Sequence, residues 1–426
     1  MANLIKEGDK LLRYRYKVAE CNVIGVEGVE KIDPFKIVGI TIEHDFINSF
    51  FPIFKMTTVM EPHTYKKILA NKNKAKFHIR IQKYTKELLE DKKSLYTDWI
   101  NDTFIMYWDD DESHLPDDIY EKRREIENIP EDQVNLHDLD NTIEFYFFQD
   151  KYVDNTRKLI NNIFTGLTMT TCITKVFNMA GISGVLMTPL DNTKTYSGIN
   201  PIILPPQDIL DTLLWLDQQF GLYKTGAIMY FSHERPYILK FDGKCSAWEP
   251  EEWKQTVFLI SEHHGGDIEE SISSSLERPG EKIFYINTVY DSVNVTNNSI
   301  IKNVVSGLDT DEVIPSSDAF NSKESSARTR SGTNYAKKVL NESMNPWVND
   351  AATALVNAHD IILQVTVSNC NLEAFWPNKE ATFVFEDTER NEKYKGKYKP
   401  AFEIIKFVRD GYDFTVDVSA SYLKVE

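Results

Sequence analysis

A period of two in the apolar residues recurs at both ends of this chain, and it limits the fold more than any other feature. In AKFHIRIQKY, Phe77, Ile79 and Ile81 fall on one face and His78, Arg80 and Gln82 on the other. That is the pattern of a strand with one dry and one wet side. In FPIFKMTTVM, Phe54, Met56, Thr58 and Met60 alternate with Ile53, Lys55, Thr57 and Val59. KIVGITIEH, with Ile37, Gly39 and Thr41 against Val38, Ile40 and Ile42, reads as a more fully buried strand. NTIEFYFFQD adds another, closing a first module near Asp150. At the far end IILQVTVSN, ATFVFED, FEIIKFVRD and YDFTVDVSASYLKV read as a small antiparallel barrel or sheet.

Between these ends the period changes. Met169, Cys172, Ile173, Val176 and Ala180 recur at helical spacing, with Gly181 placed to stop the helix in a left-handed conformation. Pro205-Pro206 introduces QDILDTLLWLDQQF, where Ile209, Leu213, Leu216 and Phe220 form one apolar face and Gly221 is the stop. A short helix, HTYKKILANK, follows Glu61-Pro62, proline being tolerated in a helix's first turn. LYKTGAIMYFS is expected to be a hairpin turning at Lys224-Thr225-Gly226. Lys86 to Asp140 is mostly charged and reads as an elaborated hairpin or insertion, interrupted by an apolar strand from Thr103 to Trp108. Ser306 to Asn349 is poor in apolar residues and reads as a long polar loop. The 426 residues exceed one ordinary domain. The expected division is a β-module at 1–155 with an acidic insertion at about 86–140, a mixed α/β module at 156–305, a polar linker at 306–350, and closing strands at 351–426. The fold class is α+β, β-rich.

Charge and motifs narrow the chemistry. With 48 Lys and Arg against 65 Asp and Glu, the net charge is −17, which argues against an electrostatic grip on nucleic acid. No apolar run is long enough for a membrane span or a signal peptide, so a soluble, unexported chain is expected. Cys21, Cys172, Cys245 and Cys370 lie far apart with no CxxC spacing, suggesting neither zinc knuckle nor disulfide framework. The cluster SEHHGGD offers Glu262, His263, His264 and Asp267 as metal ligands or a general base. Adjacent histidines on a strand point oppositely and no second cluster completes a ligand set, so a polar turn after TVFLI is the favoured reading. His233 reads as a turn residue beside Pro236, and Asp109, Asp110, Asp111 and Glu112 as a solvated acidic loop lacking calcium-loop spacing. No GxSxG, GxGxxG or GxxxxGK[ST] occurs. No catalytic, cofactor-binding or metal residue is assigned, and no enzyme activity is expected.

The order of these modules resembles the central hub proteins of tailed-phage baseplates and the related late-control and secretion-system spike proteins. TMTTCITKVFNMAGIS followed by ILPPQDILDTLLWLDQQFGLYKTGAIMYF carries Asp208, Ile209, Gly221, Leu222, Tyr223 and Gly226 at the positions of that family's helix, Gly-Leu-Tyr and hairpin glycine. Gly396, Tyr398, Gly411, Phe414 and Thr415 match its closing strands. The resemblance runs from about Lys36 to the end and lies in the order of the motifs. It implies two tail-tube-like antiparallel β-barrels per chain, with about 207–260 packing against the second, and a homotrimer whose six barrels match a sixfold tail tube. The implied partners are the tube protein, a separate spike protein and other baseplate proteins, with phage DNA passing through without specific binding or cofactor. The implied location is the virion tail baseplate, assembled in the host cytoplasm. The acidic insertion around Asp109 to Asp132 and the lack of a C-terminal spike fold depart from the family; the first suggests a contact with a neighbouring baseplate protein, the second a spike supplied as a separate chain. Other readings are the hub of a non-contractile tail or secretion apparatus, or a tail-associated cell-wall hydrolase using Glu262 and His263.

Overall fold

The computed structural model describes residues 10–47, 49–87, 94–107, 141–198, 200–224, 226–232, 235–240, 253–261, 274–278, 280–287, 292–296, 362–368, 370–375 and 380–424. In chain order the first module has β1 (Lys10–Ile24), β2 (Ile37–Asp45), β3 (Ile53–Met60), α1 (Pro62–Ala70), β4 (Lys76–Glu87), β5 (Ser94–Tyr107), β6 (Asn141–Gln149) and α2 (Asp150–Thr156). Next come β7 (Ile160–Phe164), β8 (Leu167–Thr168), α3 (Met169–Ala180), β9 (Leu186–Met187), β10 (Thr195–Tyr196), β11 (Ile202–Gln207), α4 (Ile209–Phe220), β12 (Ala227–Phe231) and β13 (Pro236–Lys240). The remainder is β14 (Trp253–Ser261), β15 (Ser274–Arg278), β16 (Gly280–Asn287), β17 (Ser292–Thr296), β18 (Ile362–Val367), β19 (Glu380–Phe385), α5 (Thr388–Lys393), β20 (Tyr398–Asp410) and β21 (Asp413–Lys424).

Both ends of the chain meet in one sheet. Its 14 strands run β15-β16-β14-β19-β20-β2-β3-β6-β5-β4-β1-β21-β18-β17, with β20–β21 and β15–β1 paired in addition. The β20–β21 pairing closes β20, β2, β3, β6, β5, β4, β1 and β21 into an eight-stranded barrel whose ladders are all antiparallel. Closure removes the strand edges that period-two sequences would otherwise expose. Inward alternation fills the barrel: Phe54, Met56, Phe77, Ile79, Phe104, Phe145 and Phe147 are buried in it. The rings of Phe77 and Phe147 lie 4.7 Å apart and those of Phe54 and Phe104 4.8 Å apart. An eight-stranded barrel is just wide enough for such side chains, so it is a core and not a pore.

The structure revises four local expectations. The strand placed at Thr103 to Trp108 within an insertion is the 14-residue β5, Ser94–Tyr107, a full barrel strand paired to both β4 and β6. Its first half looked like loop because its outward positions are charged. Asp98 there accepts from Arg80 Nε at 2.9 Å and from Gln82 Nε2 at 2.9 Å, while Arg80 Nη1 reaches Glu20 at 3.1 Å, so these charges knit the wet face of the ladder. Second, the hairpin expected to turn at residues 224–226 instead pairs β12 with β13 and turns between Phe231 and Pro236, with Ser232 N donating to Arg235 O at 3.0 Å. Leu222 and Tyr223 are not strand residues because they are buried as anchors; Tyr223 Oη donates to Thr188 O at 2.8 Å. Third, the second half of the sheet is not purely antiparallel: β14 runs parallel to both β16 and β19. Its unbroken apolar run TVFLI fits that, since Phe258 packs into the main core and Leu259 against Ile283 on the other face. Fourth, β2, read as a more fully buried strand, buries only Ile37, Ile40 and His44 and leaves Val38 45% exposed.

The helices follow their apolar stripes. In α3, Met169, Cys172, Ile173, Val176 and Ala180 are buried, Thr168 caps the N-terminus, and Gly181 adopts φ 82° at the C-terminus. In α4, Asp208 Oδ1 accepts from Asp211 N at 2.9 Å, and Ile209, Leu213, Leu216 and Phe220 are buried. These two helices, the β7–β11 ribbon and the inner side of β12 form a second core, and the other side of β12–β13 packs on Phe46, Ala401 and Leu423 of the barrel.

Candidate interaction surface

The end of the barrel where β20 turns into β21 carries two large exposed aromatics. Asp410 and Asp413 are the last register pair, leaving Gly411 and Tyr412 as a two-residue turn. Gly411 has φ 64°, as tight hairpin turns require at the first central position, and Tyr412 beside it is 82% exposed. Beside this turn sits a 3-10 turn, Pro34–Lys36, held by Asp33 Oδ1 accepting from Phe35 N at 3.0 Å. Phe35 is 62% exposed and meets Tyr412 edge to face at 5.7 Å between centroids.

Arg409 fixes the two turns to each other. Its Nη1 donates to Pro34 O at 3.0 Å and to Ile37 O at 2.5 Å, and its guanidinium lies 5.7 Å from the Phe35 ring centroid and 5.3 Å from that of Phe414. A cation held by two carbonyls and two rings is a rigid support. Val38 and Val408 extend the apolar area, and Asp410, 4.0 Å from Arg15, marks its charged edge. Tyr84 Oη donates to Asp413, and burial with that carboxylate beside it raises the phenol's pKa. Exposed aromatics set on a preordered, partly charged rim are what a protein contact site offers.

The barrel interior holds a small, mostly apolar cavity into which a few polar side chains reach. A cavity of about 70 Å³ is bordered by His44 of β2, Phe104 of β5, Gln149 of β6 and Glu403 of β20, and is roofed by Leu372 and Phe375 of a 3-10 turn at Leu372–Phe375. That turn is tied to the barrel wall by Leu372 N donating to Tyr16 Oη at 2.8 Å and by an ion pair between Lys83 and Glu373. Glu403 Oε2 is buried without a hydrogen-bond partner, and burial pushes the carboxyl up to about 8, so it is mainly protonated at neutral pH. The space admits a few waters at most.

Glu262, His263, His264 and Asp267, the acidic residues Asp109, Asp110, Asp111 and Glu112, and His233 and Cys245 lie outside the described residues. Among the described residues no group of three or more His, Cys, Asp or Glu side chains could hold a metal ion. Burial raises the thiols of Cys21 to about 12 and Cys172 to about 11, which makes them core fillers. Gly221 and Gly226 have positive φ. Tyr398 is buried, donating to Tyr394 O at 2.7 Å, Phe414 is buried in the barrel core, and Thr415 Oγ1 donates to Val408 O at 3.4 Å. These motif residues are scaffold and do not converge on a pocket. One residue sequence reading missed is Asn192: its Nδ2 lies 3.0 Å from Tyr196 Oη, 3.1 Å from Phe220 O and 2.8 Å from Gly221 O, satisfying carbonyls left at the end of α4. No local pattern marked it.

Architecture and surface define a β-rich protein built on a closed eight-stranded antiparallel barrel that the two ends of the chain complete together. The chain belongs to the family described as bacteriophage PBS1 gene 109 protein, whose family model matches residues 16–424. No curated protein matches it. Among solved structures it is similar to the tail protein from Neisseria meningitidis MC58, at 8% identity over 97% of this chain and 97% of that chain, with a TM-score of 0.41. It is also similar to the 43 kDa tail protein of prophage MuSo2 from Shewanella oneidensis, at 11% identity over 97% and 98% of the two chains and a TM-score of 0.38. A third is the E. coli c3393 protein, a component of the type VI secretion system, at 6% identity over 95% of this chain and 76% of that chain and a TM-score of 0.39.

Proposed function

We propose that the protein is the structural hub of a phage tail baseplate, a homotrimer that joins the tail tube to a separate spike protein and surrounds the path of the DNA. The observation that carries this reading is the shared β20–β21 hairpin. It closes the antiparallel barrel on one side, and it also sits within the consecutive run β15-β16-β14-β19-β20-β21-β18-β17. That run supports a second tube-like barrel beside the first. Two barrels per chain and three chains give six, the number that matches a sixfold tube.

The packed barrel interior supports the same assembly. DNA cannot thread a barrel filled by Phe54, Phe77, Phe104 and Phe147, so a passage has to lie between barrels of several chains. A net charge of −17 suits such a passage, since a carboxylate-rich wall repels phosphates where a basic one would retain them by counterion release. The Phe35–Tyr412 rim is the surface we assign to axial contact with the tube or a neighbouring baseplate protein. The role is structural, with assembly in the host cytoplasm and residence in the virion.

Image averages of the purified protein test this directly. A threefold ring with a central pore is expected; a protein that stays monomeric by light scattering at high concentration, with tube protein present, would refute it. A turbidity assay on purified cell walls separates the hub from a tail-associated hydrolase using Glu262 and His263, and clearing that is lost in Glu262→Gln would favour the hydrolase.

A further inference from the structure

A second surface lies on the middle module, away from the barrel rim. The ribbon of β7 and β11 sets Ile163 directly opposite Ile203, and the two are 59% and 57% exposed. Leu159, at 77%, and Met179 of α3 extend the same apolar area. Between ribbon and helix runs an open recess of about 510 Å³ bordered by Asn162, Ile163, Thr165, Lys175, Asn178 and Met179. β7 is paired on one side only among the described residues. The Ile163 N–H is met by the side chain of its neighbour Asn162, at 2.7 Å, instead of by another strand.

Lys175 is the charged residue that borders this recess, and the stretch of chain that forms most of it is basic in an acidic protein. From Asn155 to Leu190 there is no Asp or Glu, although the whole chain has 65, while Arg157, Lys158 and Lys175 all fall there. The next acidic residue, Asp191, is engaged elsewhere, 3.3 Å from Lys240 Nζ and accepting from Lys224 N at 2.9 Å. On the other side the exposed Asp154 adjoins the stretch, one helical turn from Arg157, and Asp150 beyond it is paired with Lys76 at 2.7 Å. The surface therefore combines aliphatic side chains, an unpaired strand edge and excess positive charge.

We infer that this recess binds an extended, acidic segment of a partner protein, added along β7 with apolar side chains against Ile163 and Met179 and carboxylates toward Lys175. Strand addition supplies main-chain hydrogen bonds, and alternate side chains supply selectivity. A twofold contact between two copies of this chain would bring the same cations face to face. Nucleic acid is disfavoured because the exposed residues are aliphatic and offer no ring for bases to stack on. The inference holds whether the chain is monomeric or trimeric.

The test uses the full chain and three labelled probes in fluorescence anisotropy: a short peptide alternating Glu and Val, its Lys and Val counterpart, and oligo-dT. Saturable binding of the acidic peptide alone is expected, weakened by about tenfold or more in Lys175→Glu and in Ile163→Asp and falling with salt. Both changes are at exposed positions, and an unaltered circular dichroism spectrum and melting profile confirm that each variant is folded. Absence of saturable binding, or equal binding of the two peptides, overturns the proposal. Preferential binding of oligo-dT assigns the surface to nucleic acid, and concentration-dependent dimers lost in Ile163→Asp assign it to a second copy; either outcome also overturns it.

Discussion

Replacing Glu403 by Gln is expected to stabilise the barrel at alkaline pH and to leave it nearly unchanged at acid pH. Glu403 lies on β20 directly across from His44 of β2, and Tyr422 of β21 feels its charge. Burial raises the carboxyl from 4.5 to about 8. A carboxyl whose folded pKa exceeds its unfolded pKa contributes stability that is fully present below about 4.5 and is lost as pH rises to about 8. At 1.36 kcal/mol per pH unit, that loss amounts to roughly 5 kcal/mol. Glutamine keeps the shape and cannot ionise, so the difference between variant and wild type should grow across this window and then level off. Urea titrations at pH 5 and pH 9 measure it through the same transition in both proteins, so other titrating groups cancel. Loss of a protonated-carboxyl infrared band in the variant at neutral pH is the independent check. If variant and wild type differ equally at both pH values, Glu403 is not held neutral and the account of the barrel interior is wrong.

Leu213→Asp should cost several kcal/mol, because Leu213 is buried in the second core and the new carboxylate would have no partner there; an unchanged melting temperature would put α4 the other way round. Asn192→Ala should cost about 1–3 kcal/mol by leaving the carbonyls of Phe220 and Gly221 unpaired, read as a lower denaturation midpoint of the middle module. The double change Phe35→Ser and Tyr412→Ser removes mostly exposed area and leaves the Arg409 hydrogen bonds to Pro34 O and Ile37 O in place, so the melting temperature should fall by only a little while the protein fails to enter assembled tails in a complementation assay. Normal incorporation would remove the rim from the contact.

Much of the barrel was legible because a half-buried strand writes its environment into alternate residues. Phe77, Ile79 and Ile81 face inward as their spacing says, and so do Phe54, Met56 and Met60. The helix stops at Gly181 and Gly221 were legible for the same reason, since both backbones take positive φ. The β5 strand was obscured because outward ladder positions accept any polar residue, and a cluster such as Asp98, Asn101 and Asp102 looks the same in a loop. Pairing between distant segments leaves no local trace. Nothing near Ile37 announces that β2 will lie beside β20, with Ile42 opposite Ile405. The rim has the same origin: Phe35 and Tyr412 are far apart in sequence, and only barrel closure brings Arg409 under the loop that carries Phe35.

Closure by the last hairpin also constrains how the chain can fold. β1 and β2 are the outer strands of the six-stranded N-terminal sheet; β15 covers β1 only along Lys10–Arg13, and the pairs that β20 and β21 add include Tyr16 with Phe414 and Ile40 with Phe407. Contacts of such sequence separation bring little stability until a very long loop has been closed, which makes the step slow. During that interval the inward faces of β3, β4 and β6, with Phe54, Phe77 and Phe147, are covered on fewer sides than in the finished barrel. The same hairpin continues past the barrel to pair with β18 along Ile362–Val367 and to touch β19 at Ala381. One element therefore completes two parts of the sheet at once, and the two cannot be assembled or loosened independently of each other. Displacement at the Tyr412 end of the hairpin is therefore carried along the ladder from the Asp410–Asp413 pair as far as the Phe402–Ser421 pair, where the register shifts before Pro400.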